Sequence, residues 1–207
     1  MIAIIDYDAG NLKSVEKALE HIGEAAIITR DKKVLLSADH VIFPGVGAFE
    51  DAMGKLQKYD LVDTIKEIVA KKTPFLGICL GLQLMVDRSD ESENDVEGVG
   101  LLPGEILKIP PKDDLKIPHM GWNSIEIKPG AKLFQGIEQN AYVYFVHSYY
   151  LKASNQEDVA ATTEYCTKIH ASVEHGNVFA CQFHPEKSGE VGLQKLKNFA
   201  SIERENI

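Results

Sequence analysis

The sequence predicts an α/β fold: a mostly parallel central sheet flanked by helices, with an additional antiparallel portion. Three observations predict it. In the first half, short continuous apolar runs alternate with segments whose apolar residues recur every three or four positions, the pattern of βαβ units. In the second half, strand-like runs follow one another between Pro- and Gly-bearing turns, and two of them flank His175-Gly176-Asn177, a hairpin signal. Finally, 207 residues suit one sizeable core, and no linker, internal repeat or low-complexity tract divides residues 1–207.

Taken in order, Ile2–Ile5 reads as a buried strand and Asp6-Tyr7-Asp8-Ala9-Gly10 as the loop after it. Asn11 is placed to cap a helix whose Leu12, Val15, Leu19 and Ile22 share one face, with Gly23 as its stop. Residues 25–29 form the next strand, and residues 40–43 a strand entering the turn Pro44-Gly45-Val46-Gly47. Helical patterns cover residues 48–57 and 61–70; a strand at 73–78 runs straight into a helix from Leu80 to about Asp87. Residues 87–97 are acidic and read most simply as a solvated insertion. Strands are expected at 100–109, 124–128, 142–150 and 159–163, then at 169–174 and 178–183 around the hairpin turn, before a last helix at 188–202. A single mixed sheet accommodates these elements.

Composition excludes several classes of function. Lys and Arg number 22 against 31 Asp and Glu, a net charge of −9, so a phosphate backbone or anionic lipid surface is repelled. The longest apolar stretch, Phe75 to Val86, is interrupted by Gln83 and falls short of the ~20 residues a membrane helix needs. The opening Met1-Ile2-Ala3-Ile4-Ile5-Asp6 lacks a basic start and a small-residue cleavage site. Cysteines at 79, 166 and 181 are odd in number and form no CxxC pair, as expected of a soluble protein in the reducing cytoplasm.

Chemistry concentrates in three stretches. Gly77-Ile78-Cys79-Leu80-Gly81 has the spacing of a nucleophile elbow with sulfur in place of oxygen, because a strained strand-to-helix bend needs small neighbours two residues away. Such a bend puts the thiol at a helix N-terminus, which favours thiolate, and frees the backbone N–H of Leu80 for an oxyanion. A buried, inert cysteine is the competing interpretation. His184 in Gln182-Phe183-His184-Pro185-Glu186 is the candidate base, with Glu186 two residues on along extended chain to orient it; a surface turn is the bland alternative. Pro44-Gly45-Val46-Gly47 lets a backbone N–H point into a cleft as a second oxyanion donor. It is not a dinucleotide fingerprint, since Glu50 stands at the third glycine position. HExxH, Walker A and EF-hand patterns are absent, and His170 and His175 are poorly spaced as a metal pair, so neither metal nor cofactor is expected.

Together, Gly77-x-Cys79-x-Gly81-x-Gln83, the Pro-Gly-Val-Gly turn and His184-Pro185-Glu186 resemble the class I (triad) glutamine amidotransferases, in the family's order and over nearly the whole chain. Finer segments, among them Asp6-Tyr7-x-x-Gly10-Asn11-Leu12 and His119-Met120-Gly121-Trp122-Asn123, resemble its branch of glutaminase subunits of imidazole glycerol phosphate synthase. So do Tyr144-Phe145-Val146-His147-Ser148-Tyr149 and Gln182-Phe183-His184-Pro185-Glu186-Lys187-Ser188. The resemblance implies hydrolysis of L-glutamine by Cys79, His184 and Glu186, with backbone N–H groups near Val46 and Leu80 holding the oxyanion. It implies that Gly45, Gly47, Gln83, Ser148 and Tyr149 hold the substrate's amino-acid end. It also implies a heterodimer with a (β/α)₈-barrel cyclase that receives the ammonia, contacted through Asn11, Trp122, Tyr144 and Lys187. The rival readings are a glutaminase subunit of another synthase, a stand-alone γ-glutamyl cysteine hydrolase, and a non-catalytic α/β binding module.

Overall fold

The computed structural model describes residues 1–112 and 114–204. Its strands are β1 (Ile2–Ile5), β2 (Ala26–Thr29), β3 (His40–Gly45), β4 (Phe75–Cys79), β5 (Gly104–Lys108), β6 (His119–Ser124) and β7 (Glu126–Ile127). They continue with β8 (Tyr142–His147), β9 (Tyr149–Ala153), β10 (Val159–Tyr165), β11 (Thr167–His175) and β12 (Val178–Cys181). The helices are α1 (Leu12–His21), α2 (Lys32–Ser37), α3 (Phe49–Lys58), α4 (Leu61–Ala70), α5 (Leu80–Leu84) and α6 (Gly189–Ala200).

An eight-stranded sheet in the order β2-β1-β3-β4-β12-β11-β10-β7 forms the centre. It is parallel from β2 through β12 and antiparallel from β12 onward, so the direction switches between β12 and β11, one strand away from β4. The inner strands β1 and β4 are buried at every position because both faces are covered, whereas the edge strand β2 is only partly buried. Ile4, Ile42, Leu76, Ile78 and Phe179 pack with Val15 and Leu19 of α1 and Leu196 and Phe199 of α6. Their neighbours Ala3, Ile5, Val41, Phe43 and Phe75 pack on the opposite side with Met53, Leu56, Ile65 and Ile68 of α3 and α4. Lys195 of α6 is fully buried, its Nζ donating to Ser172 Oγ at 3.1 Å and lying 4.1 Å from the Phe134 ring centre.

Several expected boundaries shift for identifiable reasons. β3 runs through Pro44 and Gly45, which pair with Ile78 and Cys79, so the turn begins later than the Pro-Gly signal implies. α5 stops at Leu84, well short of Asp87, because Gly98 to Leu102 return to the carbonyls of Leu84, Met85 and Asp87. α2 lacks a clear apolar stripe; the Asp31 carboxylate builds it by capping the N–H groups of Lys33 and Val34. The expected strand at 142–150 breaks at Ser148 into β8 and β9, which pair with β6 and β5 in two separate two-stranded sheets. The expectation of one mixed sheet is thereby corrected: side ribbons stand beside the main sheet, above the end of β4.

Candidate active site

Cys79 ends the central strand β4 and begins α5 with φ 54° and ψ −111°. A side-chain-bearing residue held there stores about 1–3 kcal/mol of strain, retained only when packing enforces it. The enforcement is visible. A Cβ on Gly81 would run into the Phe43 carbonyl, and one on Gly77 into the methyl of Met85. The bend therefore brings α5 directly onto β3, and the thiol projects past the sheet edge. Its Sγ lies 3.9 Å from the Val146 carbonyl and 3.6 Å from the Gln182 amide nitrogen.

β12 lies parallel to β4, with Cys181 opposite Ile78, so the residues that follow it arrive beside Cys79. The His184 backbone N–H donates to the Tyr144 carbonyl at 3.0 Å, and its carbonyl accepts from Ser188 Oγ at 2.6 Å. The ring Nδ1 is 2.7 Å from Glu186 Oε1, with both side chains almost entirely buried. Glu186 does not reach the ring by strand alternation, as expected from the spacing. A 3-10 turn over Pro185–Lys187 folds it back, with Pro185 supplying the preset φ at the turn's first position. Among the described residues, His184 Nε2 and Glu186 Oε2 have no hydrogen-bond partner of ordinary length. Burial works against a charged ring, but Cys79 and Glu186 together outweigh it and hold the His184 imidazolium up to about 9. Cys79 and His184 face the same cavity.

Cys79, His184, Val46, Gly47, Leu80 and Gln83 line one cavity of about 330 Å³, closed on its far wall by Ser148 and Tyr149. Gly45 lies beside Cys79 in the strand register, and Gly47 takes φ 100°, a conformation open to glycine, as the chain turns away from β3. Gln83 differs in kind from a free substrate ligand. Its amide nitrogen already donates to the Tyr149 carbonyl at 3.0 Å and to Gln182 Oε1 at 3.1 Å, so it ties the cavity walls together.

Three polar residues of the cavity region were given no role in the sequence reading: Glu91, His147 and Gln182. Residues 87–97 are more than a solvated insertion, since the Glu91 carboxylate lines the cavity and accepts the Phe49 N–H at 3.1 Å. Burial raises its pKa. Glu50 anchors the same loop by accepting from Ser92 and Asn94. A run of acidic residues carries no mark of which one turns inward.

The expected partner-facing residues form a patch in part. Trp122, 56% exposed, meets the Tyr144 ring edge-on at 6.1 Å, and Lys187 Nζ lies 5.9 Å from that ring. Asn11 sits apart at the start of α1, which packs beside the 185–187 turn. Its side chain makes no capping bond to the helix and accepts from Ser14 Oγ at 2.8 Å instead.

The family profile described as glutamine amidotransferase class-I matches residues 3–202. Imidazole glycerol phosphate synthase subunit HisH of Bacillus mycoides (strain KBAB4) is 50% identical over 202 residues, covering 98% of this chain and 95% of that protein. The protein of the same description from Bacillus anthracis is 48% identical over the same shares. Among solved structures, a glutamine amidotransferase superposes with TM-score 0.74 at 17% identity over 97% of this chain and 100% of its own. PurLQS from Thermotoga maritima does so with TM-score 0.73 at 18% identity over 96% of each chain. With a cysteine, a histidine and a glutamate converging at the end of a parallel sheet, and with its sequence matched almost from end to end, the chain belongs to the class I glutamine amidotransferases.

Proposed function

We propose that this chain is the glutaminase subunit of imidazole glycerol phosphate synthase, hydrolysing L-glutamine and passing ammonia to a (β/α)₈-barrel cyclase subunit. The observation that carries the reading is the shared cavity: the Cys79 thiol, the Glu186-oriented His184 ring and the Val46–Gly47 turn line a space of side-chain size.

Cys79 as thiolate attacks the side-chain amide carbon of glutamine. The oxygen of the tetrahedral adduct is held by backbone N–H groups near Val46 and Leu80, each such donor supporting about 10²–10³ in rate. His184 gives its Nε2 proton to the departing nitrogen, and ammonia leaves as the thioester forms. The neutral ring then takes a proton from water, whose oxygen attacks the thioester, releasing glutamate and regenerating the thiolate. The substrate's amino-acid end lies against Gly47, Ser148 and Tyr149, where the Glu91 carboxylate offers a counter-charge to its ammonium group. Ammonia in bulk water at neutral pH is lost to protonation, so transfer requires a docked partner. Trp122, Tyr144, Lys187 and Asn11 lie on the side of the site where the barrel docks in this reading. The cyclase combines the ammonia with a phosphoribulosyl-formimino aminoimidazole carboxamide ribotide, giving imidazole glycerol phosphate and aminoimidazole carboxamide ribotide with loss of water. A cytoplasmic setting fits this reading.

The test is glutamate release by the pure chain, alone and with the barrel cyclase charged with its nucleotide ligand. Release is expected to rise sharply in the charged complex and to vanish in Cys79→Ala, while that variant keeps its fold and partner affinity. Equal rates with and without partner remove docking control; activity surviving in Cys79→Ala removes the catalytic assignment.

A further inference from the structure

One chain of hydrogen bonds in the cavity wall has no part in the acyl-transfer steps. His119 of β6 and His147 of β8 stand directly opposite each other in the ribbon register, with His119 Nδ1 2.9 Å from His147 Nε2. The inner end is the Tyr149 carbonyl, 2.8 Å from His147 Nδ1. The outer end is the Asn123 amide, whose Nδ2 lies 3.3 Å from His119 Nε2 and donates to the Glu164 carbonyl at 3.0 Å. Both ends have fixed roles, and these assign every proton between them. A carbonyl accepts only, so His147 Nδ1 carries hydrogen and its Nε2 is a lone pair. His119 therefore donates from Nδ1, and its Nε2 accepts from Asn123. Burial depresses both histidines, His147 to about 3 and His119 to about 4, so the rings stay uncharged beside the His184 imidazolium.

The Tyr149 carbonyl also accepts from Gln83 on α5, the helix begun by the nucleophile. It is gripped from two directions. The grip falls just past Ser148, where the chain leaves one two-stranded ribbon for the other. His119 is itself held between Phe145 and Tyr165, with ring centres 4.6 and 3.9 Å away. Its strand carries Met120 and Trp122 outward, 62% and 56% exposed.

We propose that the His119–His147 pair is a positioning device for glutamine, fixing the Ser148–Tyr149 segment against the Cys79 helix and tying it to the strand that bears Trp122. This rests on the reading that Ser148 and Tyr149 hold the substrate's amino-acid end. Neither histidine touches a reacting atom, so the pair acts on glutamine binding and leaves the chemistry intact.

The test uses the assembled synthase. His119→Phe keeps an aromatic ring between Phe145 and Tyr165 and removes the donor, whereas His119→Asn returns an N–H near the lost Nδ1. Losing the bond is expected to raise KM for glutamine about tenfold with kcat within about twofold. His119→Asn is expected to recover KM to within about threefold of wild type, because one side-chain donor is restored. Turnover driven by added ammonium salt, which bypasses the glutaminase, is expected to be unchanged in both. An unaltered KM in His119→Phe overturns the proposal, and so does an equal rise in both variants, which would mark a packing effect. Should His119→Phe fail to fold, Asn123→Leu, which frees the outer end, carries the same expectation at about threefold. Glutamine hydrolysis by the wild-type complex is the control for the underlying reading: its absence sinks that reading, whereas a normal wild type with unchanged variants sinks only the clamp.

Discussion

At the scale of single residues, the proposed chemistry rests on His184 and its carboxylate. A ring held as imidazolium up to about 9 can serve as the acid for ammonia departure through neutral pH. The alkaline limb of kcat/KM is therefore expected near that value. Glu186 is one of the two groups that raise the ring, so Glu186→Gln is expected to move the limb toward neutrality as well as to slow turnover; a limb that stays in place removes Glu186 from that role. Glu91 makes a second case. It meets Phe49 with one oxygen and faces the cavity. Glu91→Gln keeps the shape and removes the charge, and KM for glutamine is expected to rise about tenfold or more with kcat little changed, as for a lost charge-assisted contact. Steady-state glutaminase kinetics separate the two parameters.

At the scale of elements, the β4–α5 bend is the part least tolerant of change. Gly81→Ala forces a methyl group against the Phe43 carbonyl of a central strand, which has no flexible end to yield. Overpacking of this kind costs about 1–3 kcal/mol, and urea unfolding is expected to show a loss at the upper end of that range together with lost activity. The β6–β8 ribbon behaves oppositely. Trp122 projects from it into solvent beside Tyr144, so Trp122→Ala is expected to leave stability within about 0.5 kcal/mol. In the docking reading it weakens partner affinity about tenfold or more, as truncating an aromatic anchor does. Titration of the labelled chain with the cyclase, beside thermal melting of the free chain, reads both effects.

Over the whole molecule, buried histidines shape the dependence of stability on pH. Burial lowers the pKa of His40, His119, His147 and His170. Below pH 6.5 the unfolded chain binds protons these rings refuse, so stability falls as the solution is acidified, by up to about 1.4 kcal/mol per pH unit for each proton of difference. His184 has the opposite sign. Its contribution is complete below about 6.5 and is lost as pH rises toward 9. Asp8 and Glu50, both held at about 2 by hydrogen bonds, add their loss only below about pH 4.5. Stability in urea is thus expected to peak near pH 6.5 and decline on both sides; a curve flat from pH 5 to 9 contradicts these shifts.

Local chemistry made much of this protein readable from its letters. The bend at Cys79 was legible because only small residues fit where a helix touches a neighbouring strand, and that demand is written as Gly77 and Gly81. The inner parallel strands β1 and β4 were legible because strands covered on both faces read as continuous apolar runs. The route of Glu186 to His184 was not, because a proline-led turn and an extended strand both bring a neighbour two residues away into reach. Nor was the inward turn of Glu91, since the sequence of an acidic loop is the same whichever carboxylate the fold selects. The split at Ser148, the His119–His147 clamp and the commitment of Gln83 to the cavity walls depend on which strands pair across long stretches of chain. Hydrogen-bond partners remote in sequence leave no periodicity behind, and only the assembled structure chooses them.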